Sequence, residues 1–98
     1  NNTIAYFNRS YLYKSQKDYA KAIEDITKAI NIDPVQPDNY LQRGIIYDEM
    51  ENYDEAIRDY SKVIESDDFK EDAILYFYRA LCYAKTNKIE KAKADVLY

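Results

Sequence analysis

Histidine and tryptophan are absent from this 98-residue sequence, and cysteine, methionine and glycine occur once each. Without histidine there is no imidazole to serve as a base near neutral pH, and neither a Ser-His nor a Cys-His nucleophile pair can be built. Cys82 is alone, so it forms no disulfide within the chain and cannot anchor a cysteine-built metal site. A reducing compartment, the cytoplasm, is the expected setting. One Gly and two Pro supply few tight hairpin turns and no Gly-rich phosphate loop. The longest apolar run, Ala73 to Tyr78, is ended by Arg79, far short of the roughly 20 residues a membrane helix needs.

What remains favours helix. Ala, Glu, Lys, Ile and Leu are plentiful, and twelve Tyr with three Phe supply the apolar bulk of a core. The net charge of −4 is unevenly spread: residues 1–36 and 71–98 are each +1, while residues 37–70 carry −6. An acidic middle repels phosphate backbones, so nucleic acid is not an expected partner. Carboxylate neighbours such as Asp67 and Asp68, or Glu49 and Glu51, read as solvated surface in the absence of a partner that shifts their ionisation. No enzyme activity, metal or cofactor is expected.

An internal period organises the chain. Tyr6-x-x-Arg9-Ser10-x-x-Tyr13 recurs as Tyr40-x-x-Arg43-Gly44-x-x-Tyr47 and again as Tyr76-x-x-Arg79-Ala80-x-x-Tyr83. The following segments keep step, with Ala22-x-x-x-Ile26, Ala56-x-x-x-Tyr60 and Ala92-x-x-x-Val96, and Asp33-Pro34 closes the first unit. This pattern resembles the tetratricopeptide repeat family over nearly the whole chain. It departs from the family in placing Arg9, Arg43 and Arg79 where Leu is commoner, Asp67-Asp68 in place of Asp-Pro, and two extra residues near Phe69 to Asp72. The resemblance implies an all-α fold, a right-handed solenoid of three helix-turn-helix repeats at about 3–36, 37–70 and 73–98, the last one truncated. The whole of 1–98 reads as one domain cut from a longer array, since no polar capping helix follows the third unit.

Amphipathic spacing places helices near 3–16, 19–31, 37–50, 53–66, 71–86 and 89–98. Asn52-x-x-Glu55, Asn87-x-x-Glu90 and Asp68-x-x-Glu71 resemble capping boxes, and Pro37 suits a first helical turn. Ser10, Gly44 and Ala80 are expected to face Ala22, Ala56 and Ala92 where paired helices approach closely. Arg9, Arg43 and Arg79 each precede Asp25, Asp59 and Asp95 by sixteen residues. Forked, partly buried ion pairs that brace each helix pair are the expected outcome. Cys82, between Leu81 and Tyr83, reads as a small core hydrophobe.

The resemblance also implies a ligand groove lined by the first helices. Its lining is expected to be Ile4, Phe7, Asn8 and Tyr11, then Asp38, Leu41, Gln42, Ile45 and Asp48, then Ile74, Phe77, Tyr78 and Leu81. Some of these can instead pack between first helices. The family's carboxylate clamp for chaperone tails is not matched, because Phe7, Tyr11, Gln42, Ile74 and Tyr78 stand where Lys, Asn, Asn, Lys and Arg are needed. The expected function is therefore a protein-interaction module that takes an apolar partner segment carrying a basic residue. The rival is a structural solenoid segment, or a homo-oligomer joined through the truncated end, whose groove is filled by its own chain or a copy; stoichiometry separates the two.

Overall fold

The structure is a computed structural model that describes residues 2–66, 72–86 and 88–97. The apolar periodicity becomes α1 (Asn2–Ser15), α2 (Tyr19–Ile32), α3 (Pro37–Glu49), α4 (Tyr53–Ile64), α5 (Ala73–Lys85) and α6 (Ile89–Leu97). Among the described residues there is no strand. No helix of the described residues is long and apolar enough to cross a membrane.

Helix ends follow local chemistry. Pro37 opens α3, where a missing N–H is harmless. The Asp18 carboxylate caps α2 by accepting from the Lys21 N–H, and Asp72 caps α5 by accepting from the Ile74 N–H. That places the start of α5 at Ala73 rather than 71, because Asp72 supplies the cap. Asn52 stands at the N-cap of α4 but its side chain makes no capping bond, so the expected capping box there does not form. Asn87 and Asp68-x-x-Glu71 lie outside the described residues, as does all but Asp72 of the Phe69 to Asp72 stretch where two extra residues are expected. Lys17 and Glu51, 34 apart, both adopt positive φ (62° and 64°) as the chain turns out of α1 and α3. The next N–H, of Asp18 or Asn52, then reaches back to the carbonyl of Tyr13 or Tyr47 at 2.9 Å, as in a Schellman-type stop.

Helices pack as the pairs α1–α2, α3–α4 and α5–α6, with α2 against α3, α4 against α5, and a lighter contact between α1 and α3. The stack measures 39 × 28 × 17 Å, an extended slab in place of a sphere. Buried apolar residues join neighbouring pairs: Ala22, Ile26 and Ala29 meet Ile46 of α3, while Ala56, Ile57 and Tyr60 meet Cys82 of α5. A third cluster holds Val63 and Ile64 against Leu75 and Tyr76. One pair alone covers these faces only in part, so the full burial of roughly 1.5 to 3 kcal/mol per large side chain needs stacking.

Within the pairs, small residues set the approach. Ser10 is fully buried and donates its hydroxyl to the Ala22 carbonyl at 2.8 Å. Gly44 faces Tyr60 and Asp59 closely enough that a Cβ would lie 3.0 Å from the Tyr60 ring. The third repeat places Ala80 at that position, 4% exposed.

Candidate functional site

Each Arg of the repeated motif lies in a cage. Arg9 Nε and Nη2 donate to Asp25 at 2.7 and 2.8 Å, Arg43 to Asp59 at 2.8 and 3.0 Å, and Arg79 to Asp95 at 2.8 and 2.7 Å. The Asp carboxylates come from the second helix of the same pair and are buried. Tyr40 and Tyr47 flank the Arg43 guanidinium at 5.9 and 6.0 Å, and Tyr76 and Tyr83 flank Arg79 at 5.4 and 5.7 Å. In the second and third repeats the motif Tyr-x-x-Arg-x-x-x-Tyr is thus a helical stripe in which a cation sits over two ring faces, while in the first Arg9 lies over Tyr6 at 5.8 Å and Lys21 over Tyr13 at 5.6 Å. Sequence spacing exposed the Arg and Asp partners, while the role of the Tyr rings was missed although the same motif displays it.

Electrostatics differ between the pairs. The fork from Arg9 holds the Asp25 carboxyl below the ordinary carboxylate range, against the opposing effect of burial. At Asp59 burial is the larger influence and pushes the carboxyl up, with the Arg43 fork pulling it back. Arg43 and Arg79 are both raised, chiefly by the hydrogen bonds they donate to their Asp. Desolvation is the reason a deeper pair is not simply a stronger one.

A second cluster joins the second repeat to the third. Tyr60 donates its hydroxyl to Asp48 Oδ2 at 3.0 Å, and the Cys82 thiol lies 3.6 Å from the same oxygen. The Tyr60 ring packs tilted on Tyr78 at 6.0 Å. Burial first, then the Asp48 carboxylate, pushes the Cys82 thiol up to about 12 and raises the Tyr60 phenol as well. Asp48, expected in the groove lining, has one carboxylate oxygen engaged by this cluster. The signal for this was Tyr60, which stands where the other repeats carry Ile26 and Val96.

The groove candidates lie at different depths. Asn8, Tyr11, Phe77, Tyr78 and Leu81 are exposed, Phe7, Leu41, Ile45 and Asp48 are half-buried, and Gln42 is buried. Leu41 and Ile45 pack on the Tyr60 cluster, and Phe7 packs on the Ile26 cluster. Phe77 and Leu81 also line a cleft of about 230 Å³ between α5 and α6, with Ala92 and Val96 on the far wall. A separate cleft of about 170 Å³ opens between α1 and the start of α3, lined by Thr3, Ile4, Phe7, Gln36, Asp38 and Asn39. The amide nitrogens of Asn39 and Gln42 are buried without a hydrogen-bond partner. Among the described residues no group of three or more His, Cys, Asp or Glu is placed to hold a metal ion.

Similar folds recur among solved structures. The second such domain of Spaghetti (RPAP3), bound to the HSP90 peptide SRMEEVD, is 23% identical, with a TM-score of 0.86 over 97% of this chain and 86% of that one. MamA is 24% identical with a TM-score of 0.88, over 96% of this chain and 54% of that one. The TPR domain of Arabidopsis OM64 is 20% identical with a TM-score of 0.85, over 97% of this chain and 79% of that one. These likenesses show the fold, a right-handed all-α solenoid. No curated protein sequence matches the chain. Family profiles described as tetratricopeptide repeat match residues 4–36 and 37–68, the first two helix pairs described above. The chain belongs to the tetratricopeptide repeat family.

Proposed function

We propose that this chain is a non-catalytic protein-interaction module that takes an apolar segment of a partner protein, carrying a basic residue, along its first helices. The observation that carries this reading is where large apolar side chains stay in water. Ile4 and Tyr11 of α1 and Ile74, Phe77, Tyr78 and Leu81 of α5 are between 38% and 61% exposed. Such a concentration on the first helices favours a binding surface over scattered surface apolarity. RPAP3 domains of this fold bind HSP90 and HSP70 peptides, which supports a peptide-binding role. The acidic tails those domains take are not the favoured class here, since Phe7, Tyr11, Gln42, Ile74 and Tyr78 offer no cation.

The test uses peptides selected from a random library against the 98-residue chain, with SRMEEVD as comparator. Tyr11→Ala and Tyr78→Ala should each weaken a selected peptide by about 1 kcal/mol or more, with Lys62→Ala neutral and helix content unchanged. SRMEEVD should bind more weakly than the selected peptides. Loss of binding on outer-face substitution, with both Tyr changes silent, would overturn the groove.

A second reading is self-association across the α5–α6 cleft, favoured by Phe77 and Val96 standing 52% and 59% exposed beside it. Sedimentation equilibrium separates it from the first, because only self-association makes the mass depend on concentration.

A further inference from the structure

We propose that the cleft between α1 and the start of α3 seats the basic residue of the partner segment. The stem of a Lys or Arg lies between Ile4 and Phe7, its cationic head meets the Asp38 carboxylate, and a backbone carbonyl of the segment accepts from Asn39 Nδ2. This rests on the groove reading above and fixes where along the groove the segment begins.

Two independent features meet there. The first is Asn39, which is 2% exposed and whose Nδ2 has no hydrogen-bond partner, yet which lines the cleft. A buried donor without an acceptor destabilises the fold. Packing does not require it, because the matching position of the third repeat holds Leu75, buried among Val63, Ile64 and Tyr76. An acceptor from outside the chain gives the amide a use. The Asn terminal torsion is broad, so the amide can turn toward the cleft at small cost.

The second feature is the state of the groove acids. Asp48 Oδ2 is engaged by Tyr60 and Cys82, and Glu49 takes the Tyr19 hydroxyl and Lys14. Asp38 is exposed and makes no ion pair or hydrogen bond among the described residues. Its place in the first turn of α3 also suits the helix dipole, but that does not account for Asn39. Apolar walls below a carboxylate fit a long cationic side chain, which covers apolar surface with its stem while its head reaches charge. The cleft of about 170 Å³ holds one such side chain.

The strongest library-selected peptide is resynthesised with a fluorescent label, and its affinity is measured by anisotropy. The expected peptide contains a Lys or Arg beside large apolar residues. Replacing that residue by norleucine, which keeps a stem and removes the charge, should weaken binding roughly tenfold, as should Asp38→Asn, and the two together should cost little more than either. Asp38→Glu should keep most of the affinity. Asn39→Leu should weaken binding several-fold while raising the unfolding midpoint. Selected peptides without a basic residue, independent effects of Asp38→Asn and norleucine, or wild-type affinity for Asn39→Leu would each overturn the assignment while leaving the groove standing. If no peptide binds at all, the groove reading fails and the assignment goes with it.

Discussion

The space that Gly44 leaves empty is filled by the Tyr60 ring. A Cβ at residue 44 would lie 3.0 and 3.1 Å from Tyr60 Cε1 and Cδ1, and 3.2 Å from Asp59 Cβ. The other repeats use Ser10 with Ile26 and Ala80 with Val96 at the same two positions, so small and large residues trade volume across the pair. Gly44→Ala should therefore lose about 1 kcal/mol in urea unfolding, overpacking outweighing the better helix propensity of Ala. In a Tyr60→Ile background, which copies Ser10 and Ile26, the same change should stabilise by about 1 kcal/mol. Equal effects in both backgrounds would show that the ring is not what Gly44 accommodates.

The three Arg cages should not be equal. Arg79 also donates from Nη1 to Ser61 Oγ of the preceding repeat at 2.9 Å, so it braces two repeats. The Arg9 side chain is 52% exposed, against 21% for Arg43 and 18% for Arg79. Arg43→Ala and Arg79→Ala should each destabilise by about 1 to 3 kcal/mol, since a buried carboxylate is left without its donors. Arg9→Ala should cost less, because water can reach the vacated side. Arg43→Lys should restore little, as an ammonium cannot make the two-pronged bond over two rings. Equilibrium unfolding of the four variants checks the order, and equal losses would sink it.

Acid should act in opposite directions on the first and second repeats. The folded-state value of Asp25 lies below its unfolded one, so its contribution is present above the ordinary carboxylate value and is lost as pH falls through the folded value. The stability gap between wild type and Asp25→Asn should be widest near neutral pH and shrink below about pH 4. Asp59 is raised, chiefly by burial, so the native state holds its proton more tightly and acid regains stability there. Carboxyl carbon shifts followed by NMR should show Asp25 titrating at lower pH than Asp59. The reverse order would contradict the balance of fork and burial assigned to each.

How much was legible follows from what a period encodes. Tyr6, Arg9, Ser10 and Tyr13 recurring in step fix helix phase, and the constant separation of Arg and Asp carries their meeting across the pair. Depth is not encoded in the same way. Gln42 shares its stripe position with Asn8 and Tyr78, yet it is buried while they are exposed, and α3 packs against α1, α2 and α4. Asp48 was drawn inward by Tyr60, a non-repeating residue that period analysis averages away. The N-cap at Asp72 is hard to read from sequence because Asp68-x-x-Glu71 offers a better-looking box whose cap residue lies four residues earlier.

Cys82 should be nearly inert in the native protein. It is 1% exposed, and burial beside Asp48 pushes its thiol up to about 12. The thiolate is the reacting species, so at pH 8 only a minute fraction of the thiol is competent even before access is considered. Reaction with a disulfide-forming chromogenic reagent should be at least about a hundredfold slower in the native state than in urea, and its native rate should follow local opening of α5. Asp48→Asn should change that rate only modestly, because burial is the larger cause and persists. Tyr60→Ala removes the ring packed beside the thiol and should speed labelling far more, through both access and easier opening. Fast labelling of the folded wild type, with unchanged helix content, would mean that the contact between α4 and α5 is looser than its packing indicates.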